Sequence, residues 1–247
     1  MGAAFRIAEV ILRPPLTLLT KREWRGGEHL RLDRGFVAAT NHISHLDALT
    51  FAHFFYDNNC PPHFLAKESL FRVPGIGKIV TAAGQIPVHR ERAEASHAYS
   101  AAVAAVEAGQ CVVVYPEATL TRDPALWPMV GKTGAARISL STGCPVVPVV
   151  QWGVQEILAP YAKRPHLLPR KTVRVWAGPA VDLDDLRGLP QDVPTLREAT
   201  NRILDAMTLL LGQLRQEQPP AQRWDPRVHG QPTTGDPRRT RPPEQAG

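Results

Sequence analysis

The chain has 247 residues, 43% of them hydrophobic and 21% charged, which suits one sizeable α/β core with attachments and excludes a fibrous or wholly disordered chain. A net charge of +6 and a pI near 9.5 ask for an anionic partner, and on charge alone a nucleic acid, a membrane surface or a phosphorylated substrate would serve. Three scattered cysteines, Cys60, Cys111 and Cys144, form neither a CxxC pair nor a disulfide framework, which fits a reducing, cytosolic compartment.

No run approaches the roughly 18 apolar residues of a spanning helix. The apolar stretch of "MGAAFRIAEVILRPP" contains Glu9, closes at Arg13 and Pro14-Pro15, and has no clean cleavage site, so it is not read as a signal peptide. Arg6 stands where a myristoylation signal carries Ser or Thr. Residues 1–25 read as an amphipathic, membrane-associated segment. Phe5, Ala8, Ile11 and Leu12 fall near helical spacing, and Leu16, Leu18 and Leu19 precede Lys21, Arg22 and Arg25. Apolar residues flanked by cations suit a helix lying on an anionic bilayer. A helix packed on the domain's own core has the same periodicity, and both readings stay open.

Residues 26–218 read as the folded domain. Short β-branched runs recur at 35–42, 63–67, 84–90, 111–117, 144–153 and 171–178. Between them, "DALTFAHFFYD" (47–57), an alanine-rich stretch (91–109) and "KTGAARISLSTG" (132–143) carry helical spacing, and a long apolar stripe marks a last helix over 193–218. Alternating strands and helices predict a layered α/β fold with a mostly parallel central sheet flanked by helices. Sites in such sheets gather at the carboxyl ends of strands. Residues 219–247 hold seven of the 24 prolines and only isolated hydrophobics, so a disordered C-terminal tail is expected there.

The stretch "TNHISHLDAL" (40–49) holds two histidines and an aspartate. Ser44 and Asp47 fit a capping box, which puts His42 at a strand end just before a helix and His45 inside its first turn. From there His42 can fold back so that its Nδ1–H meets Asp47 and Nε2 is left as a general base. A capping aspartate beside ordinary polar histidines is the competing reading. No recognisable ligand spacing joins this cluster to His53, His63, His89 or His97, so no metal is expected.

Three further segments place charged residues after strands: Lys67 in "FLAKESLF", Arg90 in "GQIPVHRER", and Glu117, Thr119 and Arg122 in "YPEATLTRD". Taken with NHxxxxD (Asn41, His42, Asp47), GxIPVxR (Gly84 to Arg90), the block Pro116 to Arg122 and the VPVV block (Val147 to Val150), the chain resembles the lysophospholipid acyltransferases of the 1-acylglycerol-3-phosphate O-acyltransferase type. The likeness runs over about residues 30 to 180. One departure stands out: the family's Glu-Gly-Thr-Arg appears as Glu117-Ala118-Thr119 with the arginine displaced to Arg122.

The resemblance implies that His42 takes the proton from the acceptor's free hydroxyl, that Asp47 orients the imidazole, and that the hydroxyl attacks the acyl thioester without an acyl-enzyme. It also implies phosphate and glycerol contacts from Arg90, Glu117, Arg122, Lys67 and Thr119. The implied donor is acyl-CoA or acyl-acyl carrier protein, used as co-substrate with no cofactor. The implied acceptor is a lysophospholipid, lysophosphatidate giving phosphatidate, at the cytoplasmic face of an anionic membrane with peripheral or monotopic attachment. Glycerol 3-phosphate, another lysophospholipid or a glycolipid are the alternative acceptors, and a non-catalytic anionic-lipid binder is the alternative of another class. Backbone N–H groups near Ser44 are the expected oxyanion donors. Nucleic acid is not an expected partner, for the chain has no recognised binding motif and only 6% aromatic residues for stacking.

Overall fold

The computed structural model describes residues 10, 13–88, 92–232 and 235–237. Among these, seven strands form one sheet: β1 (Thr20–Arg25), β2 (Phe36–Thr40), β3 (Pro62–Lys67), β4 (Ile86–Val88), β5 (Cys111–Val114), β6 (Val146–Trp152) and β7 (Lys171–Ala177). The helices are α1 (Asp47–Asp57), α2 (Ile76–Ala82), α3 (Arg92–Glu107), α4 (Gly134–Thr142), α5 (Val154–Ile157) and α6 (Val193–Arg215).

The strand order is β1-β7-β6-β2-β5-β3-β4, and every pairing is parallel except β6 with β7. All residues of β2 and β5 are buried, as central strands covered on both faces require. One face packs α3, α4 and α6 through Ala102, Val106, Ala136, Ile203 and Met207. The other receives Phe51, Phe54 and Phe55 of α1, whose three- and four-residue spacing sets them on one stripe. This is the expected α/β fold with a mostly parallel sheet.

Two boundaries differ from the expectation. Thr20–Arg25 is not part of an amphipathic membrane segment but an edge strand, paired residue for residue with β7. Asp57 at the end of α1 ties this stretch down, meeting Arg13 at 2.9 Å, Arg22 at 3.3 Å and Trp24 Nε1 at 2.9 Å. Residues 13–19 are helical, and Arg170 Nη2 donates to the carbonyls of Thr17 and Thr20 at their end. The amphipathic reading of Phe5, Ala8, Ile11 and Leu12 falls outside the described residues.

The tail, expected to be disordered from residue 219, is laid against the domain over its described part. Arg223 ion-pairs with Asp205 of α6, the carbonyl of Trp224 accepts from Val130 N–H, and Pro219 packs on Gly212. Trp224 also stacks on His229 with ring centroids 3.5 Å apart. Two aromatic rings and a bridged arginine supply the contacts that composition averaged over 29 residues conceals. Among the described residues no helix is long and apolar enough to cross a membrane.

Candidate active site

β2, β5 and β6 are adjacent and parallel, so the residues after them share one rim of the sheet. Asn41 follows the last β2–β6 pair and carries the pairing one step further with its side chain. Its amide donates to the Gln151 carbonyl at 3.1 Å and accepts from the Gln151 N–H at 2.9 Å. The main chain can therefore leave the sheet at His42 without orphaning a buried peptide group.

There His42 Nδ1 meets Asp47 Oδ2 at 2.7 Å. The same oxygen accepts the N–H groups of Ile43 at 2.7 Å and Ser44 at 3.0 Å. Asp47 is fully buried, while the His42 side chain keeps 22% of its surface. Burial pushes the Asp47 carboxyl above its ordinary value, and the His42 ring and the two N–H groups pull it partly back. With Nδ1–H donated to a buried carboxylate, Nε2 is the nitrogen left for a substrate.

The capping geometry departs from expectation. α1 begins at Asp47 with Leu46 at the cap position and no side-chain cap bond. Ser44 Oγ instead donates to the Leu158 carbonyl at 2.8 Å and accepts from Leu46 N–H. Asp47 does reach back to the Ser44 N–H, the second half of a capping box. Because Ile43 and Ser44 give their N–H groups to Asp47, the turn at Ser44 does not present them as oxyanion donors, contrary to expectation. His45 is exposed, with its ring edge-on to Tyr161.

Glu117 arrives from the end of β5. Its Oε1 accepts from the His42 N–H at 3.2 Å, and its Oε2 from the Met129 N–H at 3.1 Å. It is buried, and burial pushes its carboxyl up to about 8 against the N–H bonds that lower it. Thr121 N–H donates to the His42 carbonyl at 2.7 Å, closing the loop onto the dyad. Thr119 lies half-buried in the same loop. Ala118 sits at φ +58°, the left-handed region that the family's glycine reaches without strain.

Arg122 is buried. Its Nη2 donates to the Gly235 carbonyl at 3.0 Å, and Nε and Nη1 have no partner among the described residues. Lys67 is exposed at the end of β3, two strands from β2, about 10 Å away across the sheet. Val88 of β4 pairs with Lys67; Arg90, two residues further on, lies outside the described residues. The structure thus brings His42, Asp47, Glu117 and the Thr119–Arg122 loop together, and sets Lys67 apart on the same rim.

Tyr115 was not singled out from the sequence. Its ring stacks on His42 with centroids 4.2 Å apart and an interplanar angle of 25°, and burial pushes its phenol well up. Its place two residues before Glu117, at a strand end, was the available signal. Gln151 was also missed, since a glutamine inside an apolar strand reads as a minor break.

The family model described as Acyltransferase matches residues 21–152, more than half of the chain. A 1-acyl-sn-glycerol-3-phosphate acyltransferase of Borreliella burgdorferi is 30% identical over 125 residues, covering 50% of this chain and 48% of that protein. A chloroplastic 1-acyl-sn-glycerol-3-phosphate acyltransferase of Brassica napus is 30% identical over 140 residues, covering 56% of this chain and 39% of that protein. The chain therefore spans about half or less of the length of these curated relatives. The crystal structure of the 1-acyl-sn-glycerophosphate acyltransferase of Thermotoga maritima shares the fold, with a TM-score of 0.66 at 21% identity over 87% of this chain and 81% of that one.

Proposed function

The chain belongs to the Acyltransferase family, and we propose that it moves a fatty acyl group from an acyl thioester to the free hydroxyl of lysophosphatidate, giving phosphatidate. The observation that carries the reading is the 2.7 Å contact between His42 Nδ1 and a fully buried Asp47, with the His42 side chain still 22% exposed at the strand-end rim.

In this reading Asp47 fixes the tautomer and stabilises the imidazolium that forms. His42 Nε2 takes the hydroxyl proton as the acceptor oxygen attacks the thioester carbonyl. The tetrahedral intermediate collapses with cleavage of the C–S bond, and the departing thiolate receives the proton from His42. A thioester is already activated, so positioning and one base carry most of the work. Tyr115 backs the imidazole and limits its rotation. Glu117, bonded to the His42 and Met129 N–H groups, holds the loop that delivers Thr119 and Arg122.

The acceptor's phosphate is bound by cations in this reading. Arg122 is the first candidate, because a buried guanidinium with two nitrogens unengaged among the described residues favours an anionic partner. Arg90 and Lys67 complete the set. The donor is an acyl-CoA or an acyl carrier protein thioester, and the reaction belongs at a membrane surface. Both curated relatives carry 1-acyl-sn-glycerol-3-phosphate acyltransferase in their names, which supports this acceptor over glycerol 3-phosphate or a glycolipid.

The test is thioester consumption by purified protein against a panel of phosphorylated and unphosphorylated acceptors. Turnover with lysophosphatidate and none with its dephosphorylated counterpart is expected. Equal rates on both would end the phosphate-recognition reading, and no consumption with any acceptor would end the acyltransferase reading. Arg122→Ala and Arg90→Ala should each raise KM for the acceptor more than for the donor, by about 1.5–3 kcal/mol of lost charged hydrogen bonding.

A further inference from the structure

Arg122 belongs to the loop that also carries Glu117 and Thr119, and it is buried, with 6% of its surface exposed. A buried guanidinium usually answers a carboxylate. Here the one hydrogen-bond partner among the described residues is neutral: Nη2 donates to the Gly235 carbonyl at 3.0 Å, across 113 residues of chain, and Nε and Nη1 have none. A carbonyl orients a guanidinium without cancelling its charge, whereas an acidic side chain would do both. Fixing one corner of the planar fork also fixes the direction of the other donors.

The presentation of that carbonyl depends on residue 235 being glycine. Gly235 sits at φ +79°, a backbone that glycine reaches without strain, and a Cβ there would meet nothing within 4 Å. Upstream, the Trp224 carbonyl accepts from the Val130 N–H at 3.0 Å, Trp224 Nε1 donates to Gln231 Oε1 at 3.0 Å, and the Gln231 N–H donates to the Pro226 carbonyl at 2.8 Å. Val130 follows Met129, whose N–H goes to Glu117, and Glu117 accepts from the His42 N–H. The C-terminal residues thus reach the site twice, once beside the Glu117 contact and once at Arg122.

We propose that Gly235 is a positioning residue: its carbonyl sets the Arg122 guanidinium for the acceptor's phosphate and so helps to select phosphorylated acceptors. The inference rests on the reading of Arg122 as a phosphate-binding cation. An arginine loses rotamer freedom when it grips a ligand. With one nitrogen anchored beforehand, that cost is met in folding, and the anion finds an ordered set of donors.

The test is calorimetric titration of the full chain with a short-chain, water-soluble lysophosphatidate and with its dephosphorylated counterpart. Gly235→Val disfavours the left-handed backbone that presents the carbonyl. Gly188→Val imposes the same strain at φ +81°, also in open space, between β7 and α6. Gly235→Val should weaken binding of the phosphorylated ligand about tenfold and leave that of the dephosphorylated one unchanged. Gly188→Val should bind as the parent does, with a similar small loss in melting temperature. Gly235→Asn, which tolerates that backbone, should recover most of the affinity. In the Arg122→Ala background Gly235→Val should cost nothing further, because it acts through the guanidinium. In turnover, Gly235→Val should raise the acceptor KM and leave kcat and the donor KM unchanged. Parent-like binding by Gly235→Val overturns the inference, as does tighter binding, which would mark an inhibitory cap, or a further loss added to that of Arg122→Ala. If Arg122→Ala binds as the parent does, the phosphate reading of Arg122 falls and takes this inference with it. If Arg122→Ala loses affinity and Gly235→Val does not, that reading stands and only the positioning role falls.

Discussion

At Asp47 one carboxylate oxygen serves three donors, the imidazole and two backbone N–H groups, so its chemical and structural roles separate by substitution. Asp47→Asn keeps an acceptor oxygen for the turn and loses the charge that stabilises the imidazolium. It should cut turnover by two to four powers of ten with the protein folded, whereas Ser44→Ala, which loses a bond to Leu158, should lower melting temperature and spare rate per folded molecule. His42→Ala should abolish turnover and His45→Ala should barely change it; parallel melts and initial rates of the four variants check this, and rate losses that merely follow stability would refute the dyad. The displaced motif gives a second expectation: Ala118 occupies a left-handed backbone, so Ala118→Gly should raise stability by about 1 kcal/mol in denaturant melts. Glu117 gives a third. Its folded pKa of about 8 stands above the ordinary 4.5, so the folded state holds the extra proton, and stability is fully present below pH 4.5 and is lost as pH rises through 8. The melting temperature should fall as pH rises from about 4.5 to 8 and level off above that, reflecting a few kcal/mol at most. Glu117→Gln, which cannot ionise, should start less stable and change less across that window.

The central elements are legible because pattern and environment agree. "DALTFAHFFYD" marks α1 to the residue, since its three phenylalanines must share one buried stripe, and the valine runs of β5 and β6 are buried on both faces. β1 is not legible for the opposite reason. "TKREWR" has no alternation of apolar and polar residues, and as an edge strand it is mostly exposed; its strand state comes from six-residue pairing with β7 and from Asp57. Four of its residues are charged, and charge near apolar helical spacing reads as a membrane helix when the partner strand lies 150 residues away. Asp57→Ala therefore tests the element. It should leave Arg13, Arg22 and the Trp24 indole without their shared acceptor and cost about 2–4 kcal/mol in urea unfolding, while an unchanged midpoint would show that β7 holds the edge strand unaided.

For the whole molecule, the motifs that point to the candidate site are legible in the sequence, and the described part of the tail is packed where disorder is expected. Composition marks residues 219–247 as unable to form a core of their own, and their described part needs none, because Trp224, Arg223 and Pro219 borrow the surface of α6 and of the loop between β5 and α4. Ending the chain at residue 218 should lower stability by about 2–4 kcal/mol and free Arg122 Nη2 of its Gly235 partner, which a melt and an acceptor KM measured side by side would reveal. The dyad's own moorings are remote in a similar way. His42 is held by Glu117, 75 residues on, Asn41 by Gln151, 110 residues on, and Ser44 by Leu158, 114 residues on. The backbone hydrogen bonds of helix α1 are local, but the turn that aims His42 needs strands completed far later in the chain. Contacts of such long sequence separation form slowly, so in refolding from denaturant the far-UV helical signal should return before turnover does. A nascent chain halted before residue 150 would hold every residue of the histidine–aspartate pair and still have no geometry in which to use it.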